Sequence, residues 1–154
     1  MHSFQHSKNV LLEDDFTVVI ADLGLAKNES SLSRPSNHGM LRYKDSQCFI
    51  NPHYVRSYKS DIFSLGMLLW EISTGRVPWS QSDDTQIPNL MRQRIREGPE
   101  GGAPFKYIRL YERCWDQNPQ NRPDINLVYK QLEKIDLNTC EYYFKPEEAP
   151  DGMS

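Results

Sequence analysis

Two oxygen-bearing side chains near the start of the chain, Asn9 and Asp22, flank a pair of short apolar runs. An amide oxygen and a carboxylate on neighbouring loops are hard ligands of the kind Mg²⁺ takes. Read alone, a turn asparagine and a strand-end aspartate satisfy the same pattern. His6 stands in the same stretch as a candidate base, although a loop histidine is more often structural. Farther along, Asp61 opens a long apolar segment, and Arg122 sits between Pro119 and Pro123, which stiffen its loop.

The elements that must hold these residues follow from pattern. Asn9 to Leu12 and Thr17 to Ile20 read as a hairpin of two short strands turning at Glu13-Asp14-Asp15. From Asp61 to Ile72 apolar residues go nearly all the way round a helical wheel, which predicts a buried central helix. It is too short to span a bilayer, which takes about 20 residues. Ser60 is the expected N-cap and Gly75 the C-terminal stop, with Pro78 blocking continuation. Further helices are expected over Asp84–Arg96, Phe105–Trp115 and Asp124–Leu132, the last with Ile125, Val128 and Leu132 facing the core. The stretch 28–47 is rich in serine and asparagine and reads as a loop.

The chain has 154 residues, enough for one core, and a net charge of −3. That charge offers no electrostatic case for nucleic acid or an anionic membrane. Three widely spaced cysteines, Cys48, Cys114 and Cys140, suggest reduced thiols and no zinc site. With no secretory or long apolar segment, a cytoplasmic or nuclear setting is expected.

These motifs together resemble the C-terminal lobe of eukaryotic protein kinases. The family pattern His-Arg-Asp-x-x-x-x-Asn followed by Asp-Phe-Gly places Asn9 in the asparagine slot and Asp22, in Asp22-Leu23-Gly24, in the aspartate slot. Asp61-Ile62-Phe63-Ser64-Leu65-Gly66-Met67-Leu68-Leu69-Trp70-Glu71 resembles the central helix, whose aspartate holds the catalytic loop by its backbone. Cys114-Trp115, Pro119 and Arg122-Pro123 resemble the signature of the tyrosine-kinase-like branch. The resemblance implies a mainly α fold (within an α+β family), a helical bundle around a buried central helix with a small hairpin near the N-terminus. It covers about the last three-fifths of a kinase domain, over residues 1–136. The Gly-rich loop and strand lysine of the family would lie before Met1, and residues 137–154 read as a disordered tail. With that lobe missing, apolar surface near Val10, Leu12 and Leu23 is expected to need a partner.

The departures from the family pattern carry as much as the matches. Aligned on Asn9, the His-Arg-Asp slots hold His2, Ser3 and Phe4. His2 matches. Ser3 replaces the arginine that reads an activation-loop phosphate, so phosphorylation of Ser30, Ser31, Ser33 or Ser36 would lack its usual receiver. Phe4 replaces the aspartate that accepts the substrate hydroxyl proton, and a phenyl ring cannot do so. The Ala-Pro-Glu slots become Asp45, Ser46 and Gln47. The family glutamate pairs with a buried arginine, placed here at Arg122. Gln47 can hydrogen-bond a guanidinium but not neutralise it, weaker by about 1 kcal/mol, and Asp45 is an alternative partner. The arginines Arg92, Arg94 and Arg96 lie where kinases often dock partners, or they solvate a helix face.

The family reaction is ATP- and Mg²⁺-dependent phosphoryl transfer to protein hydroxyls, with Asn9 and Asp22 the metal and nucleotide contacts. The departures imply no transfer by residues 1–154 alone and doubtful nucleotide binding. A pseudokinase module that binds proteins, and a truncated product or wrong start of an active kinase, are the competing readings. Protein partners or substrates are expected.

Overall fold

The computed structural model describes residues 10–15, 18–20 and 38–145. Its centre is α2, Tyr58–Thr74. Ser57, not Ser60, is the N-cap: its Oγ accepts the Lys59 N–H at 3.2 Å, and Ser60 Oγ accepts the Ser57 N–H at 3.3 Å. Ser60 therefore belongs to a capping box, and the helix begins earlier than the apolar run suggests. Gly75, with φ 66°, ends the helix in the left-handed conformation that glycine adopts without strain.

Phe63, Met67 and Trp70 of α2 are wholly enclosed. Each contributes about 1.5–3 kcal/mol of burial. Ile72, at the end of the apolar run, is exposed instead. α4, Phe105–Cys114, packs across α2, and Ile108, Leu110, Tyr111 and Cys114 line its buried face. The two helices touch at Gly66, where an added Cβ would lie 2.8 Å from Cys114 Cβ and 3.0 Å from the Tyr111 carbonyl. α5, Ile125–Glu133, is capped by Asp124, whose carboxylate accepts the Leu127 N–H at 2.8 Å. Its core contacts are Val128, wholly enclosed, and Leu132, partly buried. Ile125, expected in the core, is 54% exposed.

The hairpin forms as expected. β1, Val10–Leu12, pairs antiparallel with β2, Val18–Ile20, in the register Val10↔Ile20. Val18 and Val19 are exposed, whereas Leu23 and the side chains of Val10 and Leu12 lie outside the described residues. A 3-10 helix at His38–Tyr43 leads into the short α1, Gln47–Ile50. α3, Ile87–Arg92, is about half the span expected. Turns at Asp83–Gln86 precede it, Pro88 fits only its first turn, and Arg94 at φ 61° cannot continue it.

The ordered chain also runs past residue 136. β4, Tyr142–Tyr143, pairs with β3, Ala103–Pro104. The Gly102 and Phe105 N–H groups donate to the Tyr143 and Glu141 carbonyls at 2.8 and 3.0 Å. The Phe105 and Tyr143 rings meet edge to face at 5.9 Å. Glu100 joins this ladder to the rest through ion pairs with Arg76 and Lys145. A tail beginning at 137 is thus replaced, through Lys145, by a returning strand.

Candidate functional site

Of the expected site residues, His2, Phe4, His6, Asn9 and Asp22 lie outside the described residues. Asn9 stands one position before β1, and Asp22 two positions beyond the end of β2. Among the described residues, no cluster of three or more His, Cys, Asp or Glu could hold a metal ion. Asp61 lies half-buried in the first turn of α2, where a carboxylate suits the positive helix end. What the structure does bring together is Asp45, Gln47 and Arg122.

Arg122 is buried in the loop between α4 and α5 and is placed there by a 3-10 turn at Pro119–Asn121, capped by Asn118. Its guanidinium meets Asp45, not Gln47. Nη1 donates to Asp45 Oδ2 at 2.7 Å and Nη2 to Oδ1 at 2.9 Å, and neither side chain is exposed. Two further donors are also used, Nε by the Asp116 carbonyl at 2.8 Å and Nη1 again by the Lys59 carbonyl at 2.8 Å. The Phe63 ring lies 5.0 Å from the guanidinium carbon, and the Arg96 guanidinium is 5.4 Å from the same ring.

Asp45 is equally well served. Oδ1 accepts the Gln47 N–H at 3.0 Å and Oδ2 the Tyr54 hydroxyl at 2.8 Å. Burial pushes its carboxyl up, but the Arg122 hydrogen bonds and charge, with the Gln47 and Tyr54 donors, outweigh burial and hold it below the ordinary 3.8. Buried ions are tolerated when they are paired and hydrogen-bonded in this way.

The pairing of Gln47 with Arg122 is therefore corrected. Gln47 opens α1, and its Nε2 donates to the Gln117 carbonyl at 2.7 Å. A carboxylate at 47 would have set two acceptors against each other; the amide supplies the donor the carbonyl needs. The acidic role has moved two residues back, to Asp45.

Two further residues fix this segment and were not singled out from sequence. Arg42 donates to the Pro78, Trp79 and Ser82 carbonyls and to Asp84 at 2.7 Å, tying the 3-10 helix to the turn after α2. Tyr43 donates to Glu71 at 2.5 Å, and its carbonyl accepts from Ser64 Oγ at 2.8 Å. Residues 42–54 are thus held to α2, to the 78–84 turn and to the Arg122 loop. Arg92 and Arg96 are partly spent on structure, Arg92 donating to the Phe49 carbonyl at 3.0 Å and Arg96 to Gln117 Oε1 at 2.8 Å. Burial, then the charge of Arg122, lowers the Arg96 pKa to about 10.

The comparisons agree with this geometry. Residues 1–132 match the family described as Protein tyrosine and serine/threonine kinase. The chain is 34% identical over 137 residues to tyrosine-protein kinase csk-1 of Caenorhabditis elegans, covering 88% of this chain and 25% of that protein. It is 32% identical over 127 residues to mitogen-activated protein kinase kinase kinase 10 of Mus musculus, with 79% and 13% covered. To serine/threonine/tyrosine-protein kinase HT1 of Arabidopsis thaliana it is 29% identical over 138 residues, with 88% and 35% covered. The chain belongs to the protein kinase family, as a helical C-lobe. It spans about a third or less of the length of these relatives. No helix among the described residues is long and apolar enough to cross a membrane.

Proposed function

We propose that residues 1–154 act as a protein-binding kinase C-lobe that does not itself transfer phosphate. The observation that carries this reading is Phe4 in the slot of the catalytic aspartate. Kinases of the family transfer the ATP γ-phosphoryl with Mg²⁺ and an aspartate that takes the substrate hydroxyl proton. Asn9 and Asp22 keep the oxygen donors of the metal pair, but an apolar ring at position 4 supplies no base. The buried, two-bonded Asp45–Arg122 pair supports the same reading. The architecture that anchors the segment before α2 is kept, by a substitute acid, while the proton acceptor is not.

The test is transfer of labelled phosphate from ATP, with Mg²⁺, to a Glu/Tyr copolymer. Wild-type protein and Asp22→Ala should both stay at background. Transfer by the wild type that Asp22→Ala abolishes would return the chain to the active kinases.

A further inference from the structure

Two stretches of this acidic chain contain no acidic residue. Residues 46–60 carry Arg56 and Lys59, and residues 85–96 carry Arg92, Arg94 and Arg96. The fold sets them side by side. α1 packs against α3, and the bond from Arg92 Nε to the Phe49 carbonyl ties them at 3.0 Å. Lys44 adds its ammonium 5.3 Å from the Phe49 ring centre. Arg56 is exposed and, with Lys44, lies near enough to Cys48 to counter the upward pull of burial and of Asp45 on that thiol.

The acids bordering this face are already engaged. Asp45 faces Arg122, Asp84 faces Arg42, and Glu97 accepts the Trp79 N–H. Asp116 Oδ1 accepts from the Asn118 N–H and the Asn121 amide. Among the described residues no such partner ties down Arg56 or Arg94, both exposed. Ile50, which ends α1, adds exposed apolar surface.

A recess of about 460 Å³ opens beside Arg94, lined also by Gln47, Asp116, Gln117, Asn118 and Pro119. The Gln117 amide is oriented by its oxygen, which accepts from Arg96 at 2.8 Å and Ser46 at 3.4 Å. Its Nε2 is buried and has no acceptor among the described residues.

We propose that the α1–α3 face is a docking surface for an acidic protein segment, with Arg56 and Arg94 as its exposed cations. A carboxylate of that segment pairs with Arg94 at the recess, and apolar side chains cover Ile50. Complementary charge of this kind sets specificity and encounter rate. The proposal is independent of whether the chain transfers phosphate.

The test is binding of the 154-residue chain to a fluorescent random Glu/Tyr copolymer at low and physiological ionic strength. Binding should weaken with salt. Arg56→Glu with Arg94→Glu should weaken it by at least about tenfold, with an unchanged thermal transition. Lys130→Glu with Lys134→Glu, an equal charge change at the exposed α5 end, should leave it within about twofold. Absence of copolymer binding, or equal losses in the two double variants, would overturn the proposal. So would binding of a single-stranded oligonucleotide in place of the copolymer.

Discussion

Asp45 and Arg122, far apart in sequence, meet through two parallel hydrogen bonds of 2.7 and 2.9 Å with no exposed side-chain surface. Removing one member leaves the other as a buried, unmatched ion. Asp45→Ala should therefore cost about 3–5 kcal/mol of stability, read as a fall in the denaturant midpoint. Adding Gln47→Glu should not restore it, because residue 47 faces the Gln117 carbonyl. Restoration would show that the two positions are interchangeable.

The same pair sets an acid limit. The folded-state pKa of Asp45 lies below its ordinary value of 3.8. The unfolded chain therefore takes up the proton first as pH falls. The contribution is complete above the ordinary value and is lost as pH drops through the folded one. Asp45→Asn should flatten this part of the stability–pH curve. An unchanged acid slope would exclude Asp45 as its source.

Gly66→Ala tests the crossing of α2 and α4. Alanine favours a helix over glycine by about 1 kcal/mol. The new methyl, however, would stand 2.8 Å from Cys114 Cβ and 3.0 Å from a backbone oxygen. Overpacking of this kind costs about 1–3 kcal/mol, so the net change should be a loss in thermal stability. Cys114→Ala should not relieve it, since the clash is with Cβ and not with sulfur.

Cys114 should also be the least reactive thiol. Burial pushes its pKa up to about 12, with Arg113 and Arg122 pulling weakly the other way, and it is wholly enclosed. Alkylation near pH 8 followed by peptide mapping should label Cys48 and Cys140, both partly exposed, first. Cys114 should be labelled only on unfolding. Early modification of Cys114 would mean that the α2–α4 contact opens readily.

The β3–β4 ladder predicts a local effect. Deleting residues 141–154 removes the acceptors of the Gly102 and Phe105 amides. Hydrogen exchange at those two amides should speed up, while α2 amides should keep their protection. Equal acceleration in α2 would make the strand part of the core.

How far the sequence carried differs by element. The central helix, α4, α5 and the hairpin were legible because their apolar periodicities are strong, although the cap of the central helix lay at Ser57 and not at Ser60. The sequence leaves the partner of Arg122 open between Gln47 and Asp45. A slot alignment points at residue 47, but α1 starts there and turns its side chain toward Gln117, which only the fold reveals. The returning strand was hidden by the Lys-Pro-Glu-Glu composition that follows it. The signal that could have found it was the aromatic run Tyr142-Tyr143-Phe144. The catalytic-loop residues lie outside what the structure describes, so their assignment rests on motif alone.

Phe63 gains a second meaning from its neighbours. Two guanidiniums, Arg96 and Arg122, address one enclosed ring at 5.4 and 5.0 Å, and burial, then the charge of Arg122, lowers the Arg96 pKa. The π-electrons of the ring attract each cation, which offsets part of the repulsion between like charges. One of these cations holds the buried aspartate, and the other orients Gln117 at the proposed docking face. A change at position 63 would therefore be felt at both ends at once, and positions 63, 96 and 122 are expected to drift together across related sequences or to stay fixed.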